Sequence, residues 1–89
     1  MFIFIIGKYK LTNTQIREYI DKRYKSEKYR NILKERIIDG RDLEYLAMKY
    51  YGGDIPILFL ERKISKMTHK FFLWLEKEEE GKRKTIQNT

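Results

Sequence analysis

The sequence predicts an all-α protein, a small bundle of about four helices preceded by a short apolar segment. Three observations predict it. Apolar residues recur at three- and four-residue intervals through most of the chain, capping and turn residues punctuate those runs, and no strand pattern follows the first seven residues. At 89 residues the chain is one small domain with a single modest core, taken as residues 1–80, and GKRKTIQNT at 81–89 reads as a polar, frayed tail.

Residues 1–7, MFIFIIG, read as a strand or a tucked-in apolar lead ended by Gly7. The run is too short for a signal-peptide core and lacks a basic start. A first helix follows. Thr12 and Gln15 have capping-box spacing, Leu11 and Ile16 form the matching hydrophobic staple, and Ile16, Tyr19, Ile20 and Tyr24 keep helical spacing. Ser26 caps or breaks this helix. The second helix runs to Asp39 with Tyr29, Ile32, Leu33, Arg36 and Ile37 as its stripe, and Gly40 occupies the left-handed position after its end.

Asp42 caps a third helix with the stripe Leu43, Leu46, Ala47 and Tyr50. Tyr51-Gly52-Gly53-Asp54 is a turn, with Asp54 as the expected cap of a long fourth helix and Pro56 tolerated near its start. At about 100° per residue, Leu60, Ile64, Met67, Phe71, Trp74 and Leu75 share one sector of that helix. Arg62, Lys63, Lys66, His69 and Lys70 share another. Leu58, Phe59, Phe72 and Leu73 fall outside the packed sector and are expected to face a partner protein or a second copy.

The net charge of +7 is unevenly placed. Residues 1–40 hold ten Lys/Arg against five Asp/Glu, residues 41–60 two against three, and residues 61–89 eight against five. Basic flanks around a near-neutral middle point to a nucleic acid as partner. There is no cysteine, so disulfides and thiolate metal sites are excluded, which fits an intracellular, cytoplasmic protein. No apolar run approaches the ~20 residues of a membrane span. Richness in Ile, Lys and Tyr, which use AT-rich codons, fits a low-GC bacterium or one of its phages.

Nothing points to an enzyme. His69, the only histidine, lies in the basic sector, Ser26 and Ser65 have no base partner, and Gly52-Gly53 is followed by no Lys-Ser/Thr that would make a phosphate loop. The run Glu78-Glu79-Glu80 reads as a solvated helix end. No metal or cofactor is expected.

The stretch RNILKERIIDGRDLEYLAMKYYGG, from Arg30 to Gly53, resembles the C-terminal DNA-binding region of sigma factors and small phage transcription activators. Leu33, Arg36, Ile37, Ile38 and Gly40 match the family's arginine-plus-aliphatic run and glycine. Asp42, Leu43, Glu44, Leu46 and Ala47 match the start of its first motif helix, and Gly52 falls near its turn glycine. The resemblance implies a helix-turn-helix core, duplex DNA as partner and a transcription regulator, dimeric as such proteins often are. Contacts would come from Arg62, Lys63, Lys66 and Lys70, with Ser65 and His69 adding hydrogen bonds and Arg41 and Lys49 holding phosphates. The chain departs from the family where a recognition helix should begin with polar residues, because Ile55 to Leu60 are apolar. The alternative expectation is a small phage-type protein that modulates a host protein, such as RNA polymerase, through that apolar segment and the long helix. RNA is a third possible partner.

Overall fold

The computed structural model describes residues 7–87, with 83–87 described in backbone alone. The described residues are helical and form no strand. A helical turn at residues 7–9 precedes α1 (Asn13–Arg23), α2 (Glu27–Ile37), α3 (Leu43–Tyr51) and α4 (Ile57–Gln87). The apolar lead expected at residues 1–7 lies outside the described residues except for Gly7, whose backbone is helical.

Local chemistry explains most boundaries. The Thr12 hydroxyl accepts from the Gln15 amide at 3.2 Å while the Gln15 side chain accepts from the Thr12 amide at 2.8 Å, so both orphan donors at the head of α1 are satisfied. Ser26 caps α2 and Asp42 caps α3, the latter accepting from the Tyr45 amide at 2.7 Å. Gly40 follows α2 at φ +68°, and Gly52 ends α3 at φ +60°, a region where a side chain is strained. Asp54 does not cap α4. The first helical residue is Ile57, and the Pro56 carbonyl accepts its first bond, from the Leu60 amide.

Two clusters form the core, and both are strung on α4. Tyr9, Leu11, Ile16, Tyr19, Ile20 and Leu33 bury against Phe71, Phe72 and Leu75. Ile32, Leu46 and Ala47 bury against Leu60 and Ile64, with Ala47 only 3% exposed where α3 and α4 approach. The sector expected to pack on α4 does so, but it is wider than the sequence suggests. Phe72, expected at an interface, is 2% exposed and belongs to the same buried cluster as Tyr9 and Leu11, ahead of α1.

The carboxylates of Glu78, Glu79 and Glu80 are not simply a solvated end. The Tyr19 hydroxyl donates to Glu79, the Tyr9 hydroxyl donates to Glu80, and Lys22 pairs with Glu78 at 3.7 Å. These contacts tie the N-terminal half to the far end of α4. The helix backbone also continues through Gly81 to Gln87, past the point where the sequence suggests a frayed tail.

Candidate nucleic-acid interface

The outer side of α4 carries most of the residues the sequence nominates. Arg62, Ser65, Lys66, His69 and Lys70 are exposed. Arg62, Lys66 and Lys70 have no ion pair among the described residues, and neither has Lys63. Phe59, Lys63, Lys66, Lys70, Leu73 and Lys77 recur at alternating steps of four and three residues, so they line one edge of the helix about 27 Å long. Lys63 is half-buried, with its ammonium 4.9 Å from the centre of the Tyr29 ring. The Lys63 ammonium beside it holds the Tyr29 hydroxyl below its ordinary pKa, and the same contact raises that of Lys63.

A second element joins this edge. The Tyr24 hydroxyl donates to the Met67 carbonyl at 3.1 Å, and Tyr29 meets Lys63, so the α1–α2 connection lies alongside α4. The connection carries Arg23, Lys25 and Lys28, all exposed and without an ion pair among the described residues. Arg23 lies over the Tyr24 ring at 5.4 Å and Lys28 over the Tyr51 ring at 3.9 Å. The sequence carries no periodic signal for these three, because it is the tertiary contacts of Tyr24 and Tyr29 that set their connection beside α4.

The other nominated cations sit elsewhere. Lys49 forms an ion pair with Glu35 at 2.6 Å, and Tyr50 donates to the same carboxylate. Burial opposes ionisation of Glu35, but its hydrogen bonds from Lys49, Tyr50 and Tyr45 outweigh that and hold its carboxyl below the usual range. Bonding to Glu35 likewise raises the pKa of Lys49. Lys49 is thus engaged in tying α2 to α3. Arg41 is exposed and lies over the Tyr45 ring at 4.9 Å, on that same α2–α3 cluster.

An apolar corner adjoins the head of the basic edge. Tyr51, Asp54, Ile55, Pro56 and Phe59 line an open hollow at the α3–α4 turn. Leu58 is 61% exposed, Phe59 59% and Met48 66%, while Leu73 is exposed further along. Of the four apolar residues expected at an interface, Leu58, Phe59 and Leu73 are therefore available and Phe72 is not. The Tyr51 hydroxyl is shielded from solvent and makes no hydrogen bond among the described residues, although the Lys63 ammonium lies within its field.

No group of side chains that could hold a metal ion occurs among the described residues, and no described helix is long and apolar enough to cross a membrane. No family model, curated protein or solved structure matches the chain.

Proposed function

We propose that the protein binds DNA through the basic edge of α4 and the adjoining α1–α2 connection, and acts in the cytoplasm as a transcription regulator of helix-turn-helix type. One observation carries this reading. Arg17 pairs with Asp39, Lys34 with Asp21 and Lys49 with Glu35, whereas Arg62, Lys63, Lys66, Lys70 and Lys77 along α4 and Arg23, Lys25 and Lys28 on the adjoining connection have no carboxylate partner among the described residues; Lys10, Arg36 and Arg41 lack one too. A surface of unmatched cations drawn from two elements is the electrostatic footprint that a polyanion complements.

The α3–α4 pair also supports it, with Ala47 buried at the contact and Gly52 left-handed at the turn. The exposed apolar start of α4 gives no hydrogen bonds to base edges, so affinity would come chiefly from phosphates. Titration of a random duplex at about 50 and 200 mM salt, with mass measured on the same samples, tests this. Tight binding that collapses with salt is expected, and a folded protein that ignores the duplex at low salt overturns the reading.

The exposure of Leu58, Phe59 and Met48 favours one rival, capture of a host protein through the apolar corner. Under that rival, Leu58→Ser with Phe59→Ser abolishes capture and leaves the circular dichroism spectrum unchanged. Self-association is the other use of these residues. A two-fold along the outer side of α4 would set Arg62, Lys66 and Lys70 against their own copies, which disfavours pairing there.

A further inference from the structure

Phe59 is set apart from the other aromatic residues of α4. Phe71 and Phe72 are buried and Trp74 is half-buried, whereas Phe59 is 59% exposed. It also stands at the head of the edge that continues through Lys63, Lys66 and Lys70, and it lines the hollow with Tyr51, Ile55 and Pro56. Lys28 lies over the ring of Tyr51, which lines that hollow, and Arg62 and Lys63 follow Phe59 by one helical turn.

We infer that this corner takes one unpaired nucleobase, stacked against Phe59, while the cations along α4 hold the backbone of the same strand. The inference rests on the DNA reading above and names what that site prefers: DNA opened at one or a few positions over DNA fully paired. The chemistry of the hollow fits. A nucleobase presents two apolar faces and is tied to a phosphate; the corner presents the apolar side chains of Tyr51, Ile55, Pro56 and Phe59 beside the Asp54 carboxylate, and Arg62 and Lys63, one helical turn along α4, are the groups to meet the phosphate. It also accounts for the apolar start of α4, which has nothing to offer a closed groove but can cover the face of a base. Charge favours this occupant over a second copy of the chain, whose own Lys28, Arg62 and Lys63 would meet the same cations.

The test uses three labelled probes of one length and sequence: a fully paired duplex, the same duplex with a short central bubble, and that bubble with abasic sites in one strand. Anisotropy titrations of the full chain and of Phe59→Ala are compared at two salt concentrations. The expected result is that the bubble binds the wild-type protein roughly 5- to 100-fold more tightly than the abasic bubble. Phe59→Ala should remove that preference without altering duplex affinity or salt slope, and Phe59→Trp should restore it with emission quenched on binding. A preference for the bubble that survives Phe59→Ala overturns the inference, as does equal binding to bubble and abasic bubble. In both cases salt-sensitive duplex binding leaves the DNA reading intact. Failure to bind any probe at low salt overturns both. A mass that halves in Phe59→Ala assigns the corner to a second copy and overturns the inference alone.

Discussion

Simultaneous replacement of Arg62, Lys66 and Lys70 by glutamine tests the basic edge directly. All three side chains are exposed and have no ion pair among the described residues, so the variant should unfold within about 0.5 kcal/mol of the wild type per site. Each duplex phosphate that a cation neutralises contributes about 0.9 to the slope of log affinity against log salt, so the triple variant should be shallower by about 2.7. Over a fourfold change in salt, that slope difference amounts to about a forty-fold smaller drop in affinity for the variant. Lys49→Gln is the control. Its ammonium is held by Glu35, so it should leave the slope where it was while lowering the unfolding midpoint. The assay is anisotropy on one random duplex at several salt concentrations, with urea unfolding of each variant. A triple variant with an unchanged slope refutes the reasoning, and so does a Lys49 variant that flattens the slope like one of the three.

The fold makes further predictions. Phe72→Ala should cost about 3–5 kcal/mol in urea unfolding, whereas Leu73→Ala should stay within about 0.5 kcal/mol; equal effects would contradict the burial of Phe72. Thr12→Ala removes the α1 cap and should cost about 1 kcal/mol, with Thr12→Ser retaining most of it. Glu35→Gln should destabilise by about 1 kcal/mol at neutral pH. Because the Glu35 carboxyl is depressed in the folded state, its contribution is present above the unfolded carboxyl pKa and is lost as pH falls through the folded value. The wild type and Glu35→Gln should therefore converge in stability as the buffer is taken down through that range, and a gap that persists in acid would exclude this account.

What could be read along the chain was what one turn of helix decides. The Thr12–Gln15 box, the Ser26 and Asp42 caps and the left-handed Gly40 and Gly52 depend on residues three or four apart, and the stripe from Leu60 to Leu75 depends only on helical period. Contacts between distant segments could not be read this way. Phe72 looked unpacked because nothing in its own helix shows that it shares a buried cluster with Tyr9 and Leu11 from the other end of the chain. Lys49 looked available because Glu35 is on another helix, and Arg23, Lys25 and Lys28 looked unrelated to α4 until Tyr24 met Met67 and Tyr29 met Lys63. The acidic run at Glu78 to Glu80 looked solvated for the same reason, since its hydroxyl and ammonium partners come from the other end of the chain.

The two clusters on α4 also divide the molecule energetically. Leu33 belongs to one and its neighbour Ile32 to the other, so α2 contributes to both clusters and joins them. The unit holding α3 and the first turns of α4 has the fewer buried side chains, and it carries the apolar corner. Its amide hydrogens should exchange through local opening at a lower free energy than those of α1 and the middle of α4. A ligand seated at the corner would then slow exchange across that unit first. The domain would bind with the part of itself that is least committed to its own fold.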